Sequence, residues 1–232
     1  MSSLRERFYV CDATPEGERL LEESLRLQEV MDEYIVASPE AHRASIPGTC
    51  LLGAGKYSFT FGLRIAPGHE VAVKISEPTS SQEAYDKDIM LAPEDLREQF
   101  TVMSAVKTHL EGKAEGITAP NQYFVSYLPG NTFVLVHELM SGWVSLNDKS
   151  DEVYGTGPES DEVRHAIDRW TDITRARLLH ALGDFALKRR LNDLGGKEGR
   201  LHGGNLLVPA DAVLDGNTPI CIIDQPGELQ RR

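Results

Sequence analysis

The chain has 232 residues, with 24 Lys+Arg against 36 Asp+Glu for a formal charge of −12, and 41% apolar residues. That apolar share fills the core of one or two compact domains and excludes a disordered polyanion. The carboxylate surplus opposes the counterion release that drives nucleic-acid binding, and no apolar run approaches the about 18 residues of a membrane helix.

The one basic cluster, Lys188-Arg189-Arg190, is short enough to be a helix end. The opening Met-Ser-Ser-Leu-Arg-Glu-Arg has no apolar stretch of the secretory-signal kind. Three scattered cysteines, Cys11, Cys50 and Cys221, are too few, and odd in number, for a disulfide framework. The expectation is a reduced, cytoplasmic protein with no nucleic-acid partner and no membrane span.

In chain order, Thr14 as N-cap, Pro15 at the first helical position and Leu20, Leu21, Leu27, Val30, Met31, Tyr34 and Ile35 predict one amphipathic helix over 14–36. Ser38-Pro39 breaks it, and Ile46-Pro47-Gly48 precedes a strand-like segment from Cys50. Phe59–Leu63 and Glu70–Ile75, around the turn Ala66-Pro67-Gly68-His69, read as a hairpin. After a polar stretch, Pro93-Glu94-Asp95 opens a second helix carrying Leu96, Phe100, Met103, Val106 and Leu110. Gln122–Tyr127 and Thr132–Leu139, joined by Pro129-Gly130-Asn131, read as a second hairpin.

Beyond Gly142 the acidic segment Asn147–Glu162 reads as a surface loop, and 163–191 as a helix with Leu178, Leu179, Leu182, Phe185 and Ala186 on one face. Leu206–Val208 and Ile220–Ile223 bracket Asp215-Gly216-Asn217 as a third hairpin. No internal repeat is visible. The class is α+β.

The chemistry concentrates in a few segments. Leu52-Gly53-Ala54-Gly55-Lys56-Tyr57-Ser58 puts two glycines ahead of a strand, and nineteen residues after Gly55 comes Lys74 in Val-Ala-Val-Lys. A glycine turn lets backbone N–H groups approach phosphate oxygens, and a strand lysine supplies positive charge to them. Each piece alone reads equally as a tight turn and a strand-edge lysine. A Walker P-loop is excluded, because Cys50 stands where it needs Gly and Tyr57 where it needs Ser or Thr.

Taken together these residues resemble the N-lobe of the protein-kinase-like superfamily, whose pattern is Gly-x-Gly-x-x-Gly followed by Val-Ala-x-Lys on the third strand. The resemblance continues in order over roughly residues 50–227. Glu98 is placed where the family has the glutamate that pairs with the lysine, with Glu94, Asp95 and Glu83 as competitors for that role. Val134–Gly142 is similar to the fifth strand and hinge, which implies His137 as gatekeeper and Glu138 to Met140 as backbone contacts for adenine. Leu201-His202-Gly203-Gly204-Asn205-Leu206-Leu207 resembles the catalytic loop of the aminoglycoside-phosphotransferase and UbiB-like branches, and Ile222-Ile223-Asp224-Gln225-Pro226-Gly227 the strand and Asp-Phe-Gly metal motif.

The resemblance implies a kinase-like fold: an antiparallel N-lobe sheet with an αC-type helix, plus a reduced helical C-lobe. Its expected organisation is an N-terminal helical extension at 1–48, the N-lobe at 49–140, and at 141–232 a C-lobe holding the catalytic-loop and metal-motif hairpin. It further implies ATP and Mg²⁺ as cofactors. Gly53 and Gly55 would admit the β- and γ-phosphates, Lys74 would neutralise their charge, Glu98 would orient Lys74, and Asn205 with Asp224 would ligate Mg²⁺.

The pattern also departs from the family. Arg200 stands where the catalytic aspartate belongs, and Glu198 where the histidine of that loop belongs. A guanidinium offers only donors and stays protonated, so Arg200 cannot act as a base. His202, Glu198 or Asp193 would have to reach an acceptor in any active form, with His202 best placed in the loop. Ser58 replaces the third glycine, Gln225 replaces the Asp-Phe-Gly phenylalanine, and five residues follow Gly227. Two readings stand. One is a pseudokinase that binds nucleotide and works through a protein partner; the other is an atypical minimal phosphotransferase moving the γ-phosphate of ATP to a protein or small-molecule hydroxyl.

Overall fold

The structure, a computed structural model, describes residues 9–36, 49–54, 58–76, 93–112, 116–128, 132–154, 161–188 and 206–223. In chain order the elements are β1 (Tyr9–Ala13), α1 (Pro15–Glu23), α2 (Leu25–Val36), β2 (Thr49–Ala54), β3 (Ser58–Ala66), β4 (His69–Ser76), α3 (Pro93–Leu110) and β5 (Ile117–Thr118). They continue with β6 (Gln122–Leu128), β7 (Thr132–Glu138), β8 (Trp143–Ser145), α4 (Leu146–Tyr154), α5 (Asp161–Lys188), β9 (Leu206–Pro209) and β10 (Ile220–Ile222). The chain divides into two compact units, Met1–Thr101 with Asn121–Leu139, and Val102–Pro120 with Met140–Arg232.

The first unit is built on a six-stranded sheet of order β1-β6-β7-β4-β3-β2, antiparallel throughout. Strand alternation sorts its side chains onto two faces. Val71, Val73 and Ile75 of β4 share a core with Phe61, Leu63, Phe124, Val134 and Val136, capped by Leu20 and Leu21 of α1 and Leu27, Val30 and Met31 of α2. A smaller cluster of Cys11, Val125, Leu135 and Phe100 of α3 forms separately from that core. The sheet is thus covered on one side by the N-terminal helices and in part on the other by α3.

The N-terminal segment differs from the single helix that its periodicity predicts. β1 joins the sheet beside β6, and Ser24, with extended backbone angles, separates two helices. The Ser24 hydroxyl accepts from the Leu27 N–H at 3.2 Å, so the break is itself an N-cap. Ahead of α1, Thr14 caps as expected, accepting from the Gly17 N–H at 3.1 Å. Thr14 also donates its own N–H and hydroxyl to the Tyr123 carbonyl at 2.8 and 3.2 Å. Gly17 packs flat on that same carbonyl, where a Cβ would overlap it.

Both hairpins expected in this unit form. β3 and β4 turn at Pro67-Gly68, with Gly68 at φ 74°, and β6 pairs with β7. Tyr123, at a register shift in β6, is buried against α1, and its ring meets His69 edge-on with centroids 6.3 Å apart.

The second unit carries a four-stranded sheet of order β5-β10-β9-β8 in addition to its helices. β10 runs parallel to β5 and antiparallel to β9, so the expected third hairpin is present, with Cys221 opposite Leu207. Its core joins Met103, Val106 and Leu110 of α3 to Trp170, Leu178 and Leu182 of α5, and to Leu206, Val208, Ile220 and Ile222. The acidic stretch expected as a loop begins instead with α4. Ser145 and Asp148 form a reciprocal cap, the Asp148 N–H donating to the Ser145 hydroxyl at 3.1 Å and that hydroxyl to the Asp148 carboxylate at 2.6 Å. Lys149, 6% exposed, then anchors α4 by donating to the Ala210 carbonyl at 2.7 Å and the Glu152 carboxylate at 3.0 Å. α5 is broken at Gly183, whose φ of 46° and ψ of −134° are not helical. The loop between β9 and β10 is tied to α5, which donates Trp170 Nε1–H to the Asp215 carbonyl at 3.0 Å and Arg177 Nη1–H to the Thr218 carbonyl at 2.8 Å.

Two predictions test how α1 docks. Gly17→Ala must push the helix off the Tyr123 backbone, an overpacking change of about 1–3 kcal/mol, read as a lower midpoint in urea unfolding. Burial first, then the carboxylates of Glu16 and Glu138, push the Tyr123 phenol from 10.0 up to about 12. The neutral phenol is therefore favoured in the folded chain, so its contribution is intact below pH 10 and lost as pH rises towards 12. The stability difference between the intact protein and Tyr123→Phe should shift against the intact protein over that window, by no more than about 3 kcal/mol.

Candidate functional site

The strand registers line up into continuous rows across the sheet. Gly53 of β2 opposes Thr60, Thr60 opposes Lys74, Lys74 opposes Leu135, Leu135 opposes Val125, and Val125 opposes Asp12. With neighbouring strands about 4.8 Å apart, Gly53 and Lys74 lie on the order of 10 Å from each other across β3. Alternation puts Lys74 on the face opposite Val73 and Ile75, which are buried under α1 and α2. Lys74 is half-buried there.

The adjacent row on the same face is Cys50, Gly62, Ala72, His137 and Gln122. Its centre holds the two smallest side chains available, Gly62 opposite Ala72. The Leu52 and Leu139 side chains come within 3.5 Å of where a Gly62 Cβ would stand, and Cys50 Sγ within 2.8 Å. Gly62 is buried and Ala72 is 2% exposed, so the centre of this row is a covered, close-packed strip of small residues beside the half-buried lysine.

Beside this row the end of β7 is held by Asn121. Glu138 donates its N–H to the Asn121 carbonyl at 2.9 Å, and its carboxylate accepts from the Asn121 N–H at 3.0 Å and from Asn121 Nδ2 at 2.9 Å. His137 Nδ1 lies 2.9 Å from the Glu138 carbonyl oxygen. Because a carbonyl only accepts, Nδ1 carries the proton. The Glu138 N–H and carbonyl are thus both engaged within the chain. Met140, two residues on, is half-buried and opens the second unit's stretch.

Of the residues singled out by sequence, the structure brings Gly53 and Lys74 into one row and sets Glu138 at the end of the strand beside Lys74. Glu98 lies on α3, with its side chain outside the described set. Gly55, Arg200, His202, Asn205 and Asp224 lie outside the described residues. Among the described residues no group of three or more His, Cys, Asp or Glu is arranged to hold a metal ion, and no helix is long and apolar enough to cross a membrane.

Sequence reading missed Asn121, whose hold on Glu138 spans a hairpin. It also missed the Gly62–Cys50 contact. The only available signal was the isolated glycine inside a strand pattern, which marks close approach.

The Gly62–Cys50 contact is open to a double-mutant cycle. Gly62→Ala drives its Cβ into the Cys50 sulfur and should lower stability by about 1–2 kcal/mol. Adding Cys50→Ala removes the clash, and the pair should be coupled by at least about 0.5 kcal/mol in chemical unfolding.

Neither protein-family models nor curated protein sequences match the chain. Among solved structures it is similar to the kinase domain of maize SIRK1 (sucrose-induced receptor kinase 1) bound to AMP-PNP, at 10% identity and a TM-score of 0.42 over 82% of this chain and 53% of that one. It is also similar to Rv3197 in complex with erythromycin, from Mycobacterium tuberculosis, at 16% identity and a TM-score of 0.43 over 91% of this chain and 54% of that one. The chain spans about half the length of each, 53% and 54%.

Proposed function

We propose that the chain is a kinase-like ATP·Mg²⁺-binding protein with a degenerate catalytic loop, acting as a pseudokinase or regulatory binding module through a protein partner. The observation that carries this reading is the row Gly53–Thr60–Lys74, lying beside the small-residue pair Gly62–Ala72 on the sheet face turned away from α1 and α2. A glycine-bearing strand end and a lysine two strands apart supply a backbone approach and a positive charge for a polyphosphate. The apolar side chains of Leu52 and Leu139 lie beside that row and are of the type a purine ring packs on.

In this reading Gly53 and Gly55 admit the phosphates, Lys74 neutralises them, Glu98 orients Lys74, and Glu138 and Met140 contact the base through their backbones. Asn205 and Asp224 supply hard oxygen donors of the type Mg²⁺ prefers. When bound, that ion neutralises charge on the phosphate oxygens. Arg200, in place of the catalytic aspartate, holds a positive charge in the loop and cannot remove a proton from an acceptor hydroxyl. Loss of a positioned base lowers a transfer rate by about 10²–10⁴-fold and leaves binding intact.

The test is thermal unfolding with and without MgATP. At 100 times the dissociation constant the ligand adds about 2.7 kcal/mol of stability, and Lys74→Ala and Asp224→Ala should each lose most of that gain. An intact protein with no shift in MgATP would remove the nucleotide reading altogether. Phosphoryl transfer or ATP hydrolysis above the Asp224→Ala background, lost in His202→Ala, would establish the minimal phosphotransferase instead. Transfer activity appearing only in Arg200→Asp would support the pseudokinase.

A further inference from the structure

One contact in the first unit joins its N-terminal strand to a helix some 86 residues later: the Arg97 Nε–H of α3 donates to the Cys11 carbonyl of β1 at 3.0 Å. The acceptor is not an ordinary ladder carbonyl. Val10 opposes Ser126 and Asp12 opposes Val125, so the register shift of the β1–β6 pair falls at Cys11. A bulge re-aims backbone groups out of the regular ladder, and here it presents one to α3. One turn further along the same helix, Phe100 packs with the Cys11 side chain, Val125 and Leu135. Leu135 is the cross-strand neighbour of Lys74. The helix thus rests on the lysine-bearing face through two points, and β1 supplies one partner at each.

β1 is itself firmly held. It pairs along β6, and the residue after it, Thr14, donates twice to the Tyr123 carbonyl, while Gly17 lies flat against that peptide. A strand fixed at both its length and its end can transmit position to what hangs from it.

We propose that β1 is a positioning strand for α3, with Arg97 as the positioning residue: the Arg97–Cys11 bond seats the helix over the face that carries Lys74, and so sets how strongly that lysine holds a polyphosphate. This rests on the nucleotide reading above and adds to it a role for the N-terminal segment. Arg97 touches no ligand in this scheme. It acts through the placement of α3, which carries Glu98 as its next residue.

The experiment is calorimetric titration of the full chain with MgATP and, separately, with adenosine, for the intact protein, Arg97→Met, Arg97→Lys and Arg64→Met. Arg64 is an exposed arginine on β3 paired with Glu70, and serves as the control for loss of a surface charge. Arg97→Met should weaken MgATP roughly tenfold and leave adenosine within about twofold, because only the phosphate-bearing ligand senses the lysine side of the face. Arg97→Lys, which keeps a donor for the Cys11 carbonyl, should recover most of the loss, and Arg64→Met should bind both ligands as the intact protein does. Equal weakening of both ligands would mark a general structural role and overturn the proposal. So would unchanged MgATP binding in Arg97→Met, or a lysine variant as weak as the methionine one. An intact protein that binds neither ligand overturns the nucleotide reading along with this one. An intact protein that binds both while Arg97→Met behaves identically overturns the positioning role alone.

Discussion

Everything in the first unit follows from the period-two alternation of β4. Val71, Val73 and Ile75 must lie beneath the N-terminal helices, and that requirement alone sends Ala72 and Lys74 to the other face. A slip of one residue would bury an ammonium among leucines and valines, at a desolvation cost no neighbouring strand could offset. The register with β3 and β7 is therefore pinned by hydrophobic burial, and the row from Gly53 to Lys74 is a by-product of packing on the opposite side. The charge is placed by what surrounds it on the far face of the sheet.

The N-terminal segment extends the same logic. α1 and α2 supply the apolar cover for one face, and α1 is docked through the Tyr123 peptide, where Thr14, Gly17 and the buried phenol meet. Residues 9–36 are part of the sheet's architecture, and β1 reaches across to α3 besides. In the second unit the equivalent economy is seen around the β9–β10 loop, where Thr218 both receives the Asp215 N–H at 2.7 Å and donates to the Val213 carbonyl at 2.8 Å. A single hydroxyl thus closes a turn that Trp170 and Arg177 then fasten to α5.

What could be read from sequence alone was what is local. The β3–β4 and β6–β7 hairpins announce themselves through alternation and a Pro-Gly turn, and α3 through Pro93 and its spaced apolar residues. β1 was not legible, because Tyr-Val-Cys-Asp-Ala is short and its partner lies over a hundred residues away; only the pairing makes it a strand. The break at Ser24 was hidden by leucines that keep helical spacing on both sides of it. α4 was hidden by its acidity, although Ser145-Leu146-Asn147-Asp148 spells a reciprocal cap once it is looked for. For the candidate site, Lys74 and Gly53 were legible as types and their spatial relation was not, since it depends on which of several possible registers burial selects. The hold of Asn121 on Glu138, and of Arg97 on Cys11, depends on side chains reaching between elements and leaves no periodic trace.

The docking of Thr14 on Tyr123 joins residues 109 positions apart. During synthesis at about 5–20 residues per second, the first strand and helix emerge roughly 5 to 20 seconds before the peptide that receives them exists. In that interval Leu20, Leu21, Leu27, Val30 and Met31, which the finished protein hides almost completely, have no sheet to cover. Until then the apolar side chains of the two short helices have no partner surface, and their burial waits on the later strands.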